Sequence, residues 1–230
     1  SQSIKQAMLA HHPDMLLVDS LGSSEAIGLG MSVSTGSGDG TGQGAAATGA
    51  FVLGETTRVV ADDGELVEPG DDRIGKIAMR GHVPIGYYKD PIKSAETFVQ
   101  IDGMSYSMPG DYARVEADGT LVLLGRGSVC INTGGEKVFP EEVEETLKEH
   151  ASVADAVVVG VPDERFGQAI TAVVEPVDDA SIDGDELIAF VKTAIAGYKA
   201  PKRVLSVPSL GRAANGKVDY KRWTAFAIEA

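Results

Sequence analysis

Hydrophobic and polar positions follow two rhythms along this chain, and the change between them falls near residues 126–128. From Thr57 to Leu124, short apolar stretches are punctuated by the turn signals Asp62-Asp63-Gly64, Asp102-Gly103 and Asp118-Gly119. That spacing predicts a small antiparallel sheet or barrel. After the change, Glu141–His150 predicts a helix with Val143 and Leu147 on one face and Lys148 and His150 in its last turn. Ala156-Val157-Val158-Val159 and Ala169–Val174 are continuous apolar runs, ending at Pro162 and Pro176, and predict buried strands. Asp185–Ala196 predicts an amphipathic helix with Leu187, Ile188, Val191 and Ile195 inward and Gly197 as its stop. Val204–Val207 predicts a further strand. At the other end, Ile4 to Leu17 predicts a short helix running into a buried strand, Met15-Leu16-Leu17-Val18. Residues 34–50, rich in Gly, Ser, Thr and Ala, read as a mobile loop. No internal repeat is visible.

Composition narrows the function classes. A hydrophobic share of 43% in 230 residues is that of a globular protein with a real core, in one large or two small domains. The 34 acidic residues against 20 basic ones, a net charge of −14, argue against a nucleic-acid surface. A polyanion such as ATP would need local cations set against that field. Cys130 is the single cysteine, which excludes an internal disulfide and fits a reducing compartment. No apolar run reaches the ~20 residues needed to cross a bilayer. These features point to a cytoplasmic setting and leave peripheral membrane attachment open. His11 and His12 are adjacent and do not face one ligand.

The chemistry-bearing residues come in short motifs. Asn132-Thr133-Gly134-Gly135-Glu136-Lys137-Val138-Phe139-Pro140-Glu141-Glu142-Val143-Glu144 places a glycine pair before a helix that Pro140 opens. Acidic residues in the first turn suit that helix's dipole. Read alone, this is a tight turn and a well-started helix. Asn215-Gly216-Lys217 alone is a solvated β-turn, Pro109-Gly110-Asp111 an exposed turn aspartate, and Gly75–Gly81 ordinary strand patterning. Ser34–Gly42 imitates a phosphate loop, but it has no Lys and Asp39 would repel phosphate.

Taken in order over the whole chain, these motifs resemble the adenylate-forming (AMP-binding) superfamily, and among its members the acyl-CoA synthetases. Gly22-Ser23-Ser24-Glu25 is similar to the family motif in which the glutamate reaches ATP-bound magnesium and the hydroxyls lie near phosphate. By the same resemblance, Asp111 and Arg126 would hold the ribose, and Ser128 would be the hinge residue. Gly134 and Gly135 would line the pantetheine tunnel, and Lys217 would be the catalytic lysine of adenylation. Leu21, Pro109 and Ser128 depart from the residues common at their positions in the family.

The fold class implied is α/β and α+β. Residues 1–125 would be the end of the large AMP-binding domain, with a small antiparallel β-barrel-like subdomain. Residues 126–128 would be a hinge, and 129–230 a compact α+β C-terminal lid. The function implied is activation of a fatty or lipid-like carboxylic acid with ATP and Mg2+, then transfer to coenzyme A. This chain would be the C-terminal portion only, inactive alone and without the N-terminal part of its own domain; homo-oligomers stay open. Two rivals remain at this point: a non-catalytic lid-like binding module, and an adenylation domain that loads a carrier protein. The Glu136–Glu144 segment disfavours the second.

Overall fold

The computed structural model describes residues 2–36, 38–39, 49–178, 180–214 and 216–230. Most of the glycine-rich stretch taken for a loop, and Asn215, lie outside the described residues. The chain divides into two compact units, Ser1–Arg126 and Gly127–Ala230.

Among the described residues, the first unit is built on a ten-stranded antiparallel sheet. Helix α1 (Gln2–His11) precedes β1 (Leu17–Leu21), β2 (Gly30–Thr35), β3 (Gly38–Asp39), β4 (Ala50–Leu53), β5 (Thr57–Ala61) and β6 (Gly75–Arg80). Then come α2 (Pro91–Thr97), β7 (Phe98–Ile101), β8 (Met104–Ser107), β9 (Asp111–Val115) and β10 (Thr120–Arg126). Spatially the strands run β1-β2-β4-β10-β9-β6-β8-β7, with β3 on β2 and β5 on β6. The antiparallel expectation holds, but the sheet is open: its ends, β1 and β7, do not pair among the described residues, so there is no closed barrel. Leu29, Val59, Ile77, Ala113 and Leu121 form the core under it. The first apolar strand also differs from expectation. In this chain β1 is an edge strand of the sheet, and Val18 on it and Leu16 just before it are 59% and 63% exposed rather than buried.

The second unit is an α+β sandwich. It comprises β11 (Ile131–Thr133), β12 (Glu136–Val138), α3 (Pro140–Lys148), β13 (Val153–Asp163), β14 (Gly167–Pro176), α4 (Gly184–Ala194), β15 (Arg203–Ser206) and α5 (Tyr220–Glu229). β13 and β14 form a long antiparallel pair, and β15 joins β14 in parallel after the α4 crossover. The continuous apolar run on β13 now has its reason. Ala156 and Val158 face Val143, Leu147, Leu187 and Val191, while Val157 and Val159 face Leu210, Trp223 and Ala227. Strand residues alternate faces, so helices on both sides demand apolar residues at every position. Pro140 opens α3 at its first turn, as its missing N–H allows.

Candidate functional site

The Gly22–Glu25 segment leaves β1 as a tight turn. Ser23 closes it twice, through backbone bonds to Ala26 and through its Oγ, which accepts from the amides of Glu25 and Ala26 at 3.2 Å each. Gly22 runs close to other backbone: a Cβ there would lie 3.4 Å from the Gly28 nitrogen. The Glu25 carboxylate accepts from the Tyr87 hydroxyl at 2.6 Å. That bond is the main reason its pKa lies below the ordinary carboxylate value, so Glu25 is ionised near neutrality.

Asp111 and Arg126 are brought together by a β-bulge. Leu123 stands opposite Ala113, a register that would carry Arg126 to Gly110. The register shifts between Leu123 and Gly125 and sets Arg126 opposite Asp111 instead. The guanidinium Nε donates to the Asp111 carboxylate at 3.1 Å. Asp111 is nearly buried, whereas the Arg126 side chain is 60% exposed. The pair thus offers a positioned anion and a cation facing solvent, a suitable match for a hydroxyl-rich, anionic ligand.

In the second unit, Ser128 is exposed in a 3-10 turn, Gly127–Val129. Gly134 and Gly135 form the exposed β11–β12 turn, at φ +60° and +89°, where L side chains are strained. A Cβ on Gly135 would meet no atom within 4 Å, so the backbone there is fully approachable. Lys217 lies on a different connection, between β15 and α5, and is exposed. Its turn closes through Ala213 N–H to the Lys217 carbonyl at 3.0 Å and Gly216 N–H to the Ala213 carbonyl at 2.8 Å.

The sequence did not point to several partners of these residues. Tyr87 stands in the run Gly86-Tyr87-Tyr88, which nothing in the sequence links to Glu25. Arg212 pairs with Asp155 through two bonds, at 2.5 and 2.8 Å, and its Nη1 reaches the Gly216 carbonyl at 3.2 Å. Glu144, counted among the residues that suit the α3 dipole, is instead buried. It accepts from the Val158 amide at 2.9 Å and the Tyr220 hydroxyl at 3.0 Å. Burial pushes its pKa up to about 7 and raises that of Tyr220 as well. Its place one position after Val143 and three before Leu147 was the available clue.

Among the described residues no group of three or more His, Cys, Asp or Glu could hold a metal ion. One ionised carboxylate, Glu25, beside a hydroxyl-lined turn suits a magnesium ion whose other ligands are phosphate oxygens and water.

Residues 142–217 match the family model of the AMP-binding enzyme C-terminal domain. Over 227 residues the chain is 49% identical to a 3-oxocholest-4-en-26-oate–CoA ligase of Rhodococcus rhodochrous, covering 97% of this chain and 39% of the relative. It is also 49% identical to a medium/long-chain-fatty-acid–CoA/3-oxocholest-4-en-26-oate–CoA ligase of Mycolicibacterium smegmatis, covering 100% of this chain and 40% of the relative. The chain therefore spans about two fifths of the length of these curated relatives. Among solved structures it is similar to ATP-bound MatB from Rhodopseudomonas palustris, with a TM-score of 0.74 and 28% identity over 93% of this chain and 41% of that one. The amide bond synthetase McbA from Marinactinospora thermotolerans shares the fold, with a TM-score of 0.77 at 24% identity over 98% of this chain and 45% of that one.

Proposed function

Because the chain belongs to the adenylate-forming superfamily of AMP-binding enzymes, we propose that it is part of an ATP-dependent acyl-CoA synthetase for fatty or steroid-like carboxylic acids. The observation that carries this reading is the 49% identity, along nearly the whole chain, with a ligase of that class. In the first half-reaction the acid's carboxylate attacks the α-phosphate and pyrophosphate leaves. Two anions must meet, and the Lys217 ammonium stabilises the charge shared between them. Asp111 accepts hydrogen bonds from both ribose hydroxyls, and Arg126 holds Asp111 in place while presenting its cation to the nucleotide. Glu25 and the Ser23–Ser24 turn face the phosphates, where Glu25 would hold magnesium. That ion, when bound, would offset phosphate charge. In the second half-reaction the thiol of coenzyme A attacks the acyl carbonyl and AMP leaves. The Gly134–Gly135 turn leaves room for the pantetheine arm, and rotation about Ser128 exchanges Lys217 for the glycine turn.

The reading is tested in the complete ligase that carries this chain. Lys217→Ala should lower acyl-adenylate formation about 10²–10³-fold, the usual cost of removing one transition-state charge partner. Thioester formation from supplied acyl-adenylate should persist. Single-turnover measurement of both half-reactions decides it, and unchanged adenylation would reduce Lys217 to a surface lysine. The isolated 230 residues should give no pyrophosphate exchange with any fatty acid.

A further inference from the structure

The turn that carries Lys217 is exposed at Gly216 and Lys217. It has the two backbone bonds described above, both at an exposed site, and Gly216 sits at φ +77°. Exposed backbone hydrogen bonds contribute little net stability, so anchors at the ends of the turn matter to where it stands.

Its two ends are tied to β13, the front end directly and the rear end through Glu144 on α3. At the front end, Arg212 grips both carboxylate oxygens of Asp155 and donates to the Ala156 carbonyl at 3.2 Å. A third arm of the same guanidinium reaches into the turn, to the Gly216 carbonyl, one residue before Lys217. At the rear end, the Tyr220 hydroxyl donates to Glu144, with 3.0 and 3.2 Å to its two oxygens. Glu144 in turn accepts from the Val158 amide. Asp155, Ala156 and Val158 are neighbours on β13, where Ala156, Val157, Val158 and Val159 are buried on both faces. A planar guanidinium is suited to the front anchor, because it can bond a carboxylate in two places and still reach a carbonyl. Asp219 adds the α5 cap, accepting from Arg222 N–H at 3.1 Å.

We propose that Arg212 and Tyr220 are positioning residues: they fasten the two ends of the 213–219 turn to β13 and so set where Lys217 stands for adenylation. This rests on the reading of Lys217 given above. A displacement of about 1 Å of a charge-stabilising group can cost about 10²-fold in rate, so a loosened turn should be visible in the first half-reaction and not in the second.

The test uses Arg212→Gln, Arg212→Lys, Asp155→Asn and Tyr220→Phe, with Lys217→Ala as reference. Hydrogen exchange is followed in the 230-residue chain and both half-reactions in the complete ligase. Arg212→Gln should speed exchange at Ala213 and Gly216 while Val157 and Val159 on β13 stay protected. Its adenylation should fall about 10–100-fold with thioester formation from supplied acyl-adenylate retained. Arg212→Lys should fall between wild type and Gln, because an ammonium keeps the charge but cannot span both partners. If Arg212→Gln does not fold, Asp155→Asn and Tyr220→Phe carry the same comparison. Unchanged protection of the turn overturns the proposal. So does an equal loss in both half-reactions, or normal adenylation in the Arg212 variants while Lys217→Ala fails. If Lys217→Ala adenylates normally, the catalytic reading falls and the positioning role with it, whereas exchange still reports whether the anchors hold the turn.

Discussion

Tyr87 donates its hydroxyl hydrogen to Glu25 across 2.6 Å, joining two residues 62 positions apart. The contact ties a turn after the edge strand β1 to the segment before α2. It also holds below its ordinary pKa a carboxylate that is proposed as a magnesium ligand. The Tyr87 ring stacks at a tilt against Phe98, 5.4 Å between centroids, so its hydroxyl is held in one direction.

Tyr87→Phe should keep that ring contact and remove the bond. Glu25 should then titrate at higher pH than in the parent chain, which carboxyl-carbon NMR would show. A lowered pKa contributes stability above the unfolded value, and that contribution is lost as pH falls through the folded one. The variant should therefore be less stable by about 1 kcal/mol at pH 7, and the gap should close in acid. An unchanged Glu25 titration would mean that Tyr87 has no hold on it.

Glu144 behaves with the opposite sign. Burial lifts it to about 7, so the folded chain binds its proton more tightly than the unfolded chain does. Its contribution is most favourable below the unfolded pKa and declines as pH rises from there to about 7. That decline is on the order of 3 kcal/mol by the usual conversion. Glu144→Gln keeps an acceptor for Val158 and Tyr220 and should flatten the profile. Urea unfolding at pH 5 and pH 8 measures it; a wild-type profile no steeper than the variant's would rule burial out as the cause.

Gly135→Leu should slow thioester formation in the complete ligase and spare adenylation, because a branched side chain narrows a passage without touching the nucleotide site. Backbone strain needs its own control, since φ is +89° there. Gly135→Ala carries the same strain, about 1 kcal/mol, with little bulk. If Ala and Leu slow the second half-reaction equally, conformation rather than space is the function of Gly135.

Asp111→Asn should raise the KM for ATP roughly 10–100-fold, since hydrogen bonds to a charged acceptor are worth about 1.5–3 kcal/mol. Steady-state kinetics against 2′-deoxy-ATP gives the check. The parent should lose affinity on losing the 2′-hydroxyl, and the variant should lose less.

What the sequence alone determined is local. The apolar runs on β13 and β14, the proline start of α3, the glycine pair and the Gly-Lys turn could each be read from a few adjacent residues. A strand buried on both faces, a helix's first turn and a tight turn all write their geometry into neighbouring positions. The antiparallel character of the first unit was legible for the same reason, but its open form was not, because closure depends on whether distant edges meet. The edge position of β1 also escaped, since an exposed apolar strand and a buried one have similar composition. The pairs around the candidate site were set by the tertiary structure. Arg126 meets Asp111 through one extra residue in β10, and Arg212 meets Asp155 across 57 positions. Glu144 meets Tyr220 across 76. Spacing along a chain fixes which face a side chain takes, whereas register and packing between elements decide which face lies opposite.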